Sequence, residues 1–140
     1  MNRFLGVLVS IATLAACQQT APETLSGRWD VQQIAGASLG EGVDVWIEID
    51  EATGAVSGFT GCNSFTTTAT IFSAGIAFAP VQEAAGECPN IAAATDEARL
   101  LGVLPSVQRY VRHGRSLELL ASTQGSEALL RLRLSDAPQE

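Results

Sequence analysis

The chain of 140 residues has no lysine, one histidine, one methionine and only eight aromatic side chains. From Cys17 onward seven arginines face all fifteen acids, a net charge of −8. A balance this acidic argues against nucleic acid as a partner and against a polybasic attachment to anionic lipid. With one histidine, any Ser-His-Asp set must use His113. His113-Gly114 reads as a hairpin turn in which the glycine supplies the backbone freedom. No glycine-rich loop leads into a helix, so a phosphate cradle is absent. Acid pairs such as Glu48 and Asp50 share a strand face and read as solvated. Neither an enzymatic activity nor a cofactor is expected. Internal repeats, low-complexity segments and apolar runs long enough to span a bilayer are also missing.

What is present begins with an address. Met1-Asn2-Arg3 is followed by the uncharged, mostly apolar stretch from Phe4 to Ala16, the form of a secretory signal. It ends Leu14-Ala15-Ala16-Cys17. That ending resembles the lipobox of bacterial lipoproteins, in which the cysteine thiol takes a diacylglyceryl group and becomes the first residue of the mature chain. The alternative is a plain secretory signal with a chance cysteine. Two or three acyl chains hold a protein stably at a membrane. By the same resemblance Gln18, not being aspartate, favours the outer membrane with the domain facing the periplasm. Residues 1–16 are thus the signal, 17–24 a polar tether, and 25–135 one domain. The seven residues after the cysteine, 18–24, reach at most about 25 Å, which keeps the domain close to the membrane.

Cys62 and Cys88 remain. An even pair in an oxidising compartment most simply forms a disulfide. Two separate buried thiols are an alternative, as is a metal site shared with His113. Without a Cys-x-x-Cys pair the zinc pattern is weak, and no metal is expected. Cys62 lies in Ser57-Gly-Phe-Thr-Gly-Cys-Asn-Ser-Phe65, where extended structure is otherwise favoured. Gly58 and Gly61 mark a bend or a close backbone approach there. Asn63 tolerates a left-handed backbone. The stretch predicts a strand, a tight corner over 61–63 and a second strand from Phe65.

Elsewhere the period is two. Val43, Val45, Ile47 and Ile49 alternate with Asp44, Trp46, Glu48 and Asp50, a strand with one apolar face. Trp46 sits with three acids, either covered by another element or exposed as a contact residue. Strands are predicted over 25–34, 43–49, 55–60, 65–72, 75–81, 107–112, 116–122 and 127–134, with 83–89 irregular. One helix is predicted over 91–104, capped by Asn90 and stopped by Pro105, with Ala94, Ala98, Leu101 and Pro105 on one stripe. Asp96 and Glu97 fall towards the favourable end of its dipole. Short hairpin-linked strands suggest an α+β domain, a barrel or cracked barrel of about eight strands with one helix over the open side.

Arg112, Arg115, Arg131 and Arg133 gather near the C-terminal meander. They read as a patch for an acidic partner or lipid head group, or as cross-strand partners of Glu118 and Glu127.

Leu25-Ser-Gly-Arg-Trp29, Val56-Ser-Gly-Phe-Thr-Gly-Cys-Asn63, Cys88 before a helix with Glu97 and Leu101, and Tyr110 followed by Gly114-Arg-Ser-Leu117-Glu-Leu119 together resemble the META domain, the family of the heat-shock lipoprotein HslJ. The likeness covers 25–134. Where the family usually has Thr-x-x-x-Cys, this chain has Glu83-Ala-Ala-Gly-Glu-Cys88. The resemblance implies a small antiparallel barrel-like domain, similar also to pilot lipoproteins of secretins. It implies a role in heat shock, stress or drug tolerance, and no shared enzymatic activity. Two functions follow as expectations. One is a monomeric, lipid-anchored module that binds an envelope partner. The other is a binder of an apolar ligand or lipid tail inside a cracked barrel.

Overall fold

The computed structural model describes residues 23–84, 86–122 and 124–136. The signal, Cys17 and the start of the tether lie outside the described residues. The strands are β1 (Gly27–Ile34), β2 (Ala37–Ser38), β3 (Trp46–Asp50), β4 (Ala55–Phe59), β5 (Ser64–Phe72), β6 (Gly75–Phe78), β7 (Gln82–Glu83), β8 (Arg109–His113), β9 (Ser116–Leu120) and β10 (Ala128–Leu134). The helix α1 spans Ile91–Val103 and runs on into a 3-10 turn, Leu104–Ser106. The strand order β10-β9-β8-β6-β5-β4-β3-β1 closes on itself, because β10 also pairs with β1. The result is an eight-stranded antiparallel barrel, with β2 added beside β1 and β7 beside β5.

Alternation builds it. Val45, Ile47 and Ile49 point inward, as do Trp29 and Val31 of β1 and Leu130 and Leu132 of β10. Trp29 is fully buried, and its indole Nε1 donates to the Leu25 carbonyl at 2.9 Å, so its one polar atom is satisfied. The thinnest seam lies between β6 and β8. Only Gly75 and Arg109 are in register there, flanked by Tyr110 N donating to Ala74 O (3.0 Å) and Ile76 N to Gln108 O (3.2 Å). Buried Ile76 and Leu104 fill the space near the seam.

The predicted eight strands are the eight of the barrel. β6 stops at Phe78, short of the predicted Val81, and a two-residue β7 reaches Glu83, the first residue of the stretch expected to be irregular. The helix starts where predicted. Asn90 accepts from Ala93 N at 2.9 Å. Its buried face differs from the alanine stripe: Ala93, Asp96, Leu100 and Leu104 are buried, while Ala94 and Ala98 are exposed. Alanine is too small to define a face, so the leucines decide it. Asp96 and Glu97 are correspondingly not in the first turn, which holds no acid. Both turn towards the barrel. Asp96 accepts from Gly40 N at 2.7 Å and from Arg99 at 2.9 Å. Arg99 continues to the carbonyls of Ile34 and Ala37, which ties α1 to the β1–β2 turn.

Candidate functional site

Two places gather the chemically capable side chains. The first is the corner between β4 and β5. Gly61 there has φ +96°, a left-handed backbone that a β-carbon resists. Gly58 has a different reason. A β-carbon on it would lie 2.4 Å from the Phe65 ring and 2.6 Å from the Trp46 carbonyl, so its glycine permits a close approach between strands. Asn63 is not left-handed. The backbone of the turn is served by Thr60, whose hydroxyl accepts from Cys62 N (3.1 Å) and Asn63 N (2.9 Å). Asn63 Nδ2 instead donates to Glu97 Oε2 at 2.9 Å, and the Thr60 hydroxyl donates to the same oxygen.

Cys62 and Cys88 form a disulfide across 26 residues, with Cα atoms 4.6 Å apart. Glu97 Oε1 lies 3.8 Å from Cys88 Sγ. A disulfide sulfur carries no proton, so this is a contact and not a hydrogen bond. His113 sits at the exposed end of β8 and takes no part. The third group beside the sulfurs is Glu97. Thr60 and Glu97, 37 residues apart, are corner members that sequence reasoning missed. Only the position of Thr60 directly before Gly-Cys-Asn hinted at a turn hydroxyl.

The second place is an outer face of the barrel. Register puts Arg133 opposite Asp30, Asp30 opposite Trp46, and Trp46 opposite Phe59. Neighbouring strands are about 4.8 Å apart, so Arg133 and Trp46 lie about 10 Å apart on one side. Trp46 is half-buried, and what covers it is the Arg28 guanidinium, 4.1 Å from the ring centroid. Asp30 Oδ1 lies 3.6 Å from Arg28 Nε. Beside them opens a hollow of about 730 Å³ lined by Arg28, Asp30, Ser38, Asp44, Trp46 and Asp136, among others.

The remaining arginines do not form one patch. Arg131 donates to Glu118 at 2.9 Å and to Gln33 at 3.2 Å, Arg115 pairs with Asp136, and Arg112 lies 5.1 Å from the Trp29 ring. Arg133 is exposed, with no ion pair among the described residues. Glu127 makes no ion pair among them either.

Fold and corner together define a class: a small helix-capped antiparallel barrel, stapled where one strand turns into the next. The META domain model matches residues 21–136, and the chain belongs to the META domain family. The match begins four residues before the domain start read from the sequence. Two solved structures share the fold. One, an NMR structure of a protein from Burkholderia xenovorans, is 15% identical, with a TM-score of 0.63 and coverage of 80% of this chain and 83% of that one. Another NMR structure is also 15% identical, with a TM-score of 0.59 and coverage of 79% and 90%. No curated protein matches the chain.

Proposed function

We propose that the chain is a lipid-anchored, non-enzymatic binding module of the cell envelope. It is held at the outer membrane through Cys17 and engages a protein partner on the periplasmic side, in support of stress or drug tolerance. The observation that carries the binding role is the cross-strand row Arg133, Asp30, Trp46 and Phe59 beside its 730 Å³ hollow. Half-exposed tryptophan and arginine are the side chains that most often anchor protein interfaces. The anchor is supported by Leu14-Ala15-Ala16-Cys17. Glu23 accepts from Gly114 N at 2.8 Å, and Thr24 donates to Glu51 at 2.6 Å, so the tether leaves from one end of the barrel. The lipid-tail reading finds less support. The barrel axis is occupied by fully buried side chains, Trp29, Ile47, Leu104 and Leu130 among them.

Photocrosslinking in cells tests the binding role. A photoreactive residue at position 46 or 133 is expected to capture the same envelope protein. The same residue at Ala77, exposed on β6 and three strands around the barrel from either position, is expected to capture none. Equal capture from all three positions, or none from 46 and 133, rejects this face as the interface.

A further inference from the structure

We propose that the stapled corner is a redox-gated site for a thiophilic divalent cation of the zinc class. It is closed to metal as the disulfide and becomes a two-cysteine, one-carboxylate site when the disulfide is reduced. The Sγ atoms of Cys62 and Cys88 and one carboxylate oxygen of Glu97 all lie within 4.8 Å of one another. A tetrahedral zinc with bonds of about 2.0–2.3 Å holds its ligands roughly 3.5–3.8 Å apart. Glu97 Oε1 is already at such a distance from Cys88 Sγ, 3.8 Å. The two bonded sulfurs must separate. Cys62 is fixed in its corner by the Thr60 hydroxyl, so the movement falls to Cys88. That residue lies in the irregular segment between β7 and the Asn90 cap, beside exposed Glu87 and Pro89.

Glu97 is also held as metal-ligating carboxylates are held. Its Oε2 accepts from Thr60 and Asn63, which fixes the side chain and turns Oε1 to the sulfurs. Both donors are neutral. None of the four ion pairs among the described residues involves Glu97. The nearest arginine in sequence, Arg99, is spent on Asp96 and the β1–β2 turn. A half-buried carboxylate beside two sulfurs, oriented but without a countercharge, is the electrostatic setting a cation completes.

The chemistry balances. An external dithiol transfers two electrons and two protons, the Cys62–Cys88 bond breaks to two thiols, and the donor leaves as its own disulfide. The cation then displaces both thiol protons into solvent and takes Glu97 Oε1 as third ligand and a water as fourth. Exchange with an external disulfide reverses the step and expels the cation. Because two protons leave on binding, affinity falls as pH is lowered.

The test uses the full chain carrying Cys17→Ser, so that only two thiols are present, titrated with Cd²⁺ after phosphine reduction. Cadmium–thiolate charge-transfer absorption counts the thiolates, and Zn²⁺ affinity is read by competition with a chromophoric chelator. The reduced protein is expected to bind one equivalent with a two-thiolate band, and the oxidised protein none. Glu97→Gln should keep the band and weaken Zn²⁺ at least about tenfold, and Cys88→Ser should abolish tight binding. If the reduced protein binds no more tightly than the oxidised one, the site does not exist. That comparison needs no substitution at the corner itself. If folded Glu97→Gln binds as tightly as its parent, the three-ligand geometry is wrong.

Discussion

At Cys62 two constraints coincide, a left-handed glycine before it and a covalent bond to a residue 26 positions away. The bond joins the barrel wall to the arm that leads into α1, contacts which a reduced chain must find unaided. In the chain-entropy account, closing a loop of this length stabilises by about 3–4 kcal/mol. Cys62→Ser is therefore expected to lower the melting temperature by on the order of 10 °C for a domain of this size. The shift should be present in oxidising buffer and largely gone when both proteins are reduced. A variant that melts with its parent under oxidising conditions would show that the bond carries no stability. At this scale the sequence was informative where the signal was local. Ser57–Phe65 announced the corner through its glycines, and the even pair of cysteines left after Cys17 pointed to the bond. Glu97 could not be placed there from sequence, since nothing local separates a corner ligand from a second-turn helix acid.

At the scale of elements, α1 shows how a periodic pattern can mark a helix and still misplace its face. Four alanines between 92 and 98 leave the apolar stripe nearly undetermined. Polar groups and the leucines then settle it. Asp96 is 2% exposed and satisfies Gly40 N, while Arg99 binds the carbonyls of Ile34 at the end of β1 and Ala37 at the start of β2. The sequence placed Asp96 only towards the favourable end of the helix dipole, because one of its two partners lies 56 residues away. Asp96→Ala leaves a backbone donor without an acceptor and Arg99 without its anion. The expected cost is about 2–4 kcal/mol in urea unfolding. Amide exchange at Ala37–Gly40 should accelerate more than exchange in β9 or β10, which α1 does not tie down. Uniform acceleration would mean that Asp96 supports the barrel as a whole and not this one junction.

For the whole molecule, strand count and curl were readable because each strand alternates and each hairpin is short. The closure of β10 on β1 was not, since it pairs residues about a hundred positions apart. That closure sets direction. Glu23 and Thr24 bond at the end carrying Gly114 and Glu51, where β1 begins. α1 is tied to the other end of β1, at Ile34. Seven strand steps of about 3.3 Å separate the two, roughly 23 Å. In the anchored reading, residues 17–22 span at most about 20 Å. The β3–β4 turn then faces the bilayer, and the cysteine corner and α1 face away from it. A fluorescent residue at position 53, in that turn, is expected to be quenched strongly by headgroup-labelled lipid when the lipidated chain is reconstituted in vesicles. One at position 87, beside the disulfide, should be quenched far less. The same two labels on a Cys17→Ser chain, which carries no lipid, should both stay bright. Strong quenching at 87 with little at 53 would invert the molecule and put the stapled corner, with any cation it takes, against the membrane. Equal quenching at both would mean that the tether leaves the barrel free to tumble, so that contacts between Glu23 and Gly114 do not persist at the surface.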